Sequence, residues 1–162
     1  MKTIGVLIFS ILFLVLSGFQ QVDRKEKRLQ KEKEMIQLIE SGHFRFVANS
    51  ANSSLGNFNN LGSNYTLVFD SLKVKADLPF YGRAYSVPYG GSGGVKFDMT
   101  AQKVEKVWNE RKKLFIISTQ LEDSSDSYSI YLTAGASGYA DLRINFRNRQ
   151  LMDYHGTIEK IE

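Results

Sequence analysis

The sequence predicts a mainly β fold: one antiparallel up-and-down barrel of about nine strands behind a single N-terminal helix. Three observations carry this. The apolar period changes from helical to two-residue after Gly42. The 162 residues include eleven Phe and eight Tyr among many Thr, Val and Ile, a composition suited to half-buried pleated surfaces. The strand-like runs are joined by short turns with no helical segment between them, which favours a meander over crossover topologies. A two-sheet β-sandwich would bury the same faces and is the alternative architecture.

The chain opens on Lys2 and then thirteen residues, Ile4 to Leu16, interrupted only by Gly5 and Ser10. That is the charged start and apolar middle of a secretory signal, and it is shorter than the roughly 20 residues that span a hydrocarbon core. Cleavage needs small residues; Val15/Ser17 or Leu16/Gly18 would stand at the minus-three and minus-one positions, and neither pair is ideal. The expected division is a signal peptide over 1–19, a charged helix over 20–42 and an antiparallel β domain over 43–162. The expected location is therefore exported, periplasmic or secreted, with no stable membrane span after cleavage. The absence of cysteine rules out disulfides, thiol catalysis and a bacterial-type lipid anchor.

Residues 23–41 contain no Gly or Pro, begin on Asp23 and stop before Gly42, which are helix start and stop signals. The first half is charged on every side, with Asp23/Lys27 and Arg28/Glu32 one turn apart, and only Met35, Ile36, Leu38 and Ile39 form an apolar patch. This predicts a solvated lead-in helix whose last turns pack on the domain.

Strands follow by alternation. Phe44, Phe46 and Ala48 oppose Arg45 and Asn49; Tyr65, Leu67 and Phe69 share a face; Leu72, Val74, Ala76 and Leu78 oppose Lys73, Lys75 and Asp77. Asp70-Ser71 marks a hairpin turn. Val95, Phe97 and Met99 alternate with Lys96 and Asp98, and Val104 to Trp108 is a short strand. Leu114 to Leu121 starts apolar on both faces and is expected to be central. Tyr128 to Ala134, Tyr139 to Phe146 and Leu151 to Ile158 complete the set, with turns at 123–126, 135–138 and 147–150. Residues 49–63, rich in Asn, Ser and Gly, are expected to be loop.

The net charge of +4 is concentrated at the start: residues 23–34 hold six Lys or Arg against four acids, and 35–162 hold fourteen against thirteen. A β domain with about one net charge carries no footprint for phosphates, so no nucleic-acid partner is expected.

Both prolines, Pro79 and Pro88, and five of the thirteen glycines fall in LPFYGRAYSVPYGGSGG, residues 78–94. Proline fixes φ and glycine permits unusual φ, so this is a connection of specific shape. Phe80, Tyr81, Tyr85 and Tyr89 supply flat rings and Arg83 a planar cation, a set suited to a small polar or aromatic molecule, a glycan or a partner envelope protein at one barrel end. The opposing reading is a plug for the barrel mouth.

Chemistry beyond binding has little support in the sequence. His43 and His155 are the two histidines and lie far apart in the chain, with no metal-ligand spacing, and neither a metal nor another cofactor is expected. Serine lacks a nucleophile-elbow context, and GGSGG is followed by no Lys-Ser/Thr. Asp77 and Asp98 flank the 78–94 segment as a possible carboxylate pair, although both sit on polar strand faces.

The runs LPFYGRAYSVPYGGSGGVKF, IESGHFRFVANSAN and SGYADLRI, with Tyr154-His155-Gly156 and Ile158, resemble the family catalogued as domain of unknown function 4251. The resemblance spans about Ile36 to Ile158. It implies an exported bacterial envelope protein with a lipocalin-like barrel, no established activity and no catalytic residues to carry over.

Overall fold

The computed structural model describes residues 24–53, 56, 58–62, 65–85, 93–123 and 126–161. Residues 24–41 form a helix, α1. Ten strands follow: β1 (His43–Ser53), β2 (Phe58–Asn60), β3 (Thr66–Asp70), β4 (Lys73–Pro79), β5 (Gly94–Thr100), β6 (Val104–Asn109), β7 (Leu114–Glu122), β8 (Ser127–Gly135), β9 (Tyr139–Phe146) and β10 (Met152–Lys160). Nine of them join in one sheet in the order β5-β4-β3-β1-β10-β9-β8-β7-β6, and β2 adds to β1. A single sheet replaces the two of a sandwich.

The sheet is a curled half-barrel. Phe97 on β5 and Tyr128 on β8 are six strand spacings apart along the sheet, about 29 Å if it were flat. Their rings nevertheless meet at 4.6 Å. The residues that alternation places inward make one core, with Phe44, Phe46, Phe69, Phe115 and Tyr154 almost wholly buried and Phe44 stacked on Phe69 at 5.0 Å.

The curl stops short of closure for a reason of parity. Eight successive antiparallel pairings leave the two edge strands, β5 and β6, running in the same sense. Parallel neighbours need a crossover of about a dozen residues or more, whereas only residues 101–103 link β5 to β6. The two edges therefore share no ladder.

Three expectations change. Residues 49–63 are not all loop: β1 runs on to Ser53, pairing Ala51 with Tyr154 and Ser53 with Met152, and β2 adds Phe58–Asn60. Long-range pairing overrides the weak strand preference of Asn and Ser. Leu72 is 45% exposed because it follows Ser71, whose φ of 57° turns the chain between β3 and β4. Finally, β7 lies one strand from the edge, and its outward Ile116 is half-exposed beside the cross-strand Val107 of β6. An apolar outer face here reflects that neighbour, not burial.

α1 closes one end. Ile39 is fully buried, with Met35, Ile36 and Leu38 packed on the core. Lys106 Nζ donates to the Ile39 and Glu40 carbonyls at 3.2 and 3.1 Å, satisfying the helix C-terminus with a cation. Gly42, at φ 74°, makes the left-handed exit into β1.

A β-bulge bends β1 where its outer neighbour changes. Ala48 pairs with Gly156 and Ser50 with His155, leaving Asn49 as the extra residue, and the Asn49 carbonyl accepts from Leu61 N at 2.9 Å. The bend presses β1 onto Gly156, where an added methyl would overlap the Val47 carbonyl oxygen and crowd the Phe46 ring at 2.9 Å. Gly156→Ala should therefore cost about 3 kcal/mol in urea unfolding, whereas Gly62→Ala, with open space around it, should cost about 1 kcal/mol or less.

Candidate functional site

The 79–94 connection leaves β4 at Pro79 and is held by the turn between β9 and β10. Ala84 bridges Arg149, Tyr85 N donates to the Asn148 carbonyl at 2.9 Å, and Gln150 N donates to the Arg83 carbonyl at 2.9 Å. Arg83 N in turn donates to Gln150 Oε1 at 3.1 Å, and Tyr154 O–H to the Pro79 carbonyl at 2.8 Å.

Beneath these bonds lies a buried ion pair. Asp126 is almost wholly buried; its Oδ1 accepts from Ser127 N, Arg147 N and Asn148 N at 2.9, 3.1 and 3.3 Å. Its Oδ2 takes Arg149 Nε at 3.2 Å, and Arg149 Nη1 donates to the Gly94 carbonyl at 3.0 Å. The same guanidinium lies 5.7 Å from the Phe80 ring centre and 5.6 Å from that of Phe146. Arg149 thus holds the connection near its entry, at Phe80, and at its exit, at Gly94. Rings continue the cluster: Phe80 meets Phe146 edge-on at 5.7 Å, and Phe146 meets Tyr128 edge-on at 5.8 Å.

The five residues expected to bind a ligand divide. Phe80 packs inward against this cluster. Tyr81, Arg83 and Tyr85 face solvent, Tyr81 at 39% and Tyr85 at 74% exposure. Tyr89, with Pro88, lies outside the described residues. Asp126, Arg149 and Gln150 were not foreseen, although an acidic turn at 123–126 and a basic turn at 147–150 were a legible pair of opposite charges.

Elsewhere many charged groups are paired across strands. Asp77 pairs with Lys96 at 3.2 Å and Asp98 with Lys73 at 3.3 Å, so these two acids form cross-strand ion pairs. His43 Nδ1 meets Asp70 at 2.7 Å, and His155 Nδ1 meets Asp141 at 2.6 Å, on separate cross-strand pairs. Among the described residues, no cluster of three or more His or acidic side chains is placed to hold a metal, and no helix is long and apolar enough to cross a membrane.

The family model described as Domain of unknown function (DUF4251) matches residues 26–158. The chain belongs to the DUF4251 family. The match reaches back through most of α1, so the helix is part of the family unit and not only a lead-in to it. A crystal structure of a DUF4251 family protein from Bacteroides eggerthii DSM 20697 is similar, with a TM-score of 0.62 and 18% identity over 80% of this chain and 87% of that one. At that identity the likeness concerns the fold alone. No curated protein matches the sequence.

In this DUF4251 protein, burial pushes the Tyr154 phenol well above the ordinary tyrosine range, and the Arg149 charge only partly offsets it. Burial raises Tyr128 as well, with Asp123 and Asp126 adding to the effect. Both phenols stay protonated in the folded state after the unfolded chain begins to ionise. Stability is therefore full below pH 10, the ordinary tyrosine value, and falls as pH rises past it. Tyr154→Phe should flatten that alkaline fall in thermal melts while costing about 1 kcal/mol at neutral pH through the lost bond to Pro79. Arg149→Met strands the buried Asp126 and should cost about 3 kcal/mol. It should also speed amide exchange at Tyr85 and Gln150, which Arg83→Ala should leave unchanged.

Proposed function

We propose that this protein is an exported, non-enzymatic binding module of the cell envelope, using the outward side of residues 79–85. One observation carries the reading: Tyr81, Arg83 and Tyr85 are presented to solvent from a backbone that is hydrogen-bonded, at Arg83 and Tyr85, to Asn148 and Gln150 of the turn beneath it. Rings left in water on an ordered support are pre-organised, so little ordering free energy is lost when a partner covers them. The interior holds Phe44, Phe46, Phe69, Phe115 and Tyr154, and Phe80 adds to that filling, so the ligand lies on the rim and not in a calyx. Flat hydroxylated rings beside a guanidinium suit a small polar or aromatic molecule, a glycan or an envelope protein. The signal-like start over residues 1–19 supports export, and a mature N-terminus found at Met1 by sequencing would remove that part of the reading.

A second reading rests on α1. Residues 24–31 are exposed on every side, a length of charged helix available to another envelope protein. Deleting residues 23–34 and recovering the same co-purified proteins would count against it.

The rim reading is tested with the triple variant Tyr81→Ala, Arg83→Ala, Tyr85→Ala in thermal melts against a panel of sugars, aromatic acids and peptides. A compound present at a hundredfold excess over Kd adds about 2.7 kcal/mol to the wild type. The variant should melt within about 3 °C of the wild type without ligand and lose that added stability. If it fails to fold, these residues plug the half-barrel; if it keeps the full ligand shift, the site is elsewhere.

A further inference from the structure

The outer face of the sheet carries a second, unassigned feature. The register aligns Phe58, Asn52, Asp153, Arg143 and Tyr131 in one row across β2, β1, β10, β9 and β8. Residues opposed in a ladder share a face, and this face is the solvent side. Two outward rings bound this stretch of the row, Phe58 at 60% and Tyr131 at 44% exposure, and beyond Tyr131 it continues through Ser118 of β7 and Glu105 of β6. Four strand spacings separate them, about 19 Å. Tyr131 also divides two depressions, one of about 670 Å³ over Asn52, Arg143 and His155, the other of about 450 Å³ over Lys103, Ser118 and Gln120.

Among the described residues, the floor of this strip is polar and the basic side chains lining its two depressions are each paired with an acid. Arg143 forks onto Asp153, Nε to Oδ1 at 2.6 Å and Nη2 to Oδ2 at 3.0 Å. Lys103 Nζ pairs with Glu105 at 2.6 Å, and His155 Nδ1 holds Asp141 at 2.6 Å. These pairs neutralise the strip, so an anionic ligand would meet no uncompensated positive charge on these side chains. A hydroxyl-rich neutral ligand needs none, because each paired carboxylate keeps a lone pair and the Arg143 fork keeps further donors.

We propose that this strip binds a neutral, linear oligosaccharide lying across the strands, with sugar faces stacked on Tyr131 and Phe58 and hydroxyls on the paired side chains between. A peptide fits less well. Extended peptides are held by free strand edges through main-chain bonds, whereas β10, β9 and β8 are paired on both sides. The strip is independent of the rim at residues 79–94, so either site can fail alone.

The test is an amide-resonance titration of the full mature chain with maltohexaose, cellohexaose, mannohexaose and xylohexaose, with a galacturonic acid hexamer as the charged arm and an alanine-rich hexapeptide as the peptide arm. At least one neutral hexasaccharide should shift Tyr131, Arg143, Asp153 and Asn52. Tyr131→Ala and Phe58→Ala should each weaken its binding about tenfold, Tyr131→Phe should stay within about twofold, and Tyr85→Ala should change nothing. Both rings point outward, so the variants should keep the wild-type spectrum elsewhere. The proposal is overturned if no neutral hexasaccharide shifts the strip at millimolar concentration, if the acidic hexamer or the peptide binds it more tightly, or if Tyr131→Ala leaves the affinity unchanged.

Discussion

An antiparallel path of nine strands ends with its two edges running the same way, and a link of three residues cannot join them by a ladder. Much else in this structure answers that constraint. A flat nine-strand sheet would leave its apolar face in water, so the sheet curls until β5 and β8 touch through Phe97 and Tyr128. The core is then covered by side chains, by α1 at one end and by residues 79–85 with their supporting turn at the other.

The cover at the second end depends on charge inside the protein. A buried carboxylate is unfavourable unless its lone pairs are occupied, and Asp126 meets three backbone N–H groups and one guanidinium. Arg149 is the shared element because a planar cation with several donors can bond a carboxylate and a carbonyl while lying against rings. One consequence is a division of the aromatic loop: Phe80 belongs to the interior, and the tyrosines that follow belong to the surface.

Both proposals place recognition on the outside of this DUF4251 family fold. Charged groups on the strands are mostly matched across neighbours, as with Lys96/Asp77, Lys73/Asp98 and Arg45/Glu159. Among the described residues, exposed rings remain at ordered positions, and those on the rim and on the outer row are the ones both proposals use. Rings with polar handles bind neutral, hydroxylated surfaces well, and that chemistry is common to both proposals.

Alternation along the chain determined the number of strands in the main path, their faces and most of their limits, since burial of one face in two leaves a direct mark on residue order. The stop at Gly42 and the apolar patch from Met35 to Ile39 likewise foretold a helix docked by its last turns. Local order does not encode partners far away in sequence. It could not show that Ser53 and Asn52 continue a strand against β10, that Gly156 must stay bare beneath the β1 bulge, or that Ile116 faces water. Nor could it show whether the aromatic loop is lid or plug. Phe80 and Tyr81 are adjacent in the chain and similar in character, and only the position of Arg149, brought from the β9–β10 turn by folding, sends one ring inward and leaves the other in solvent.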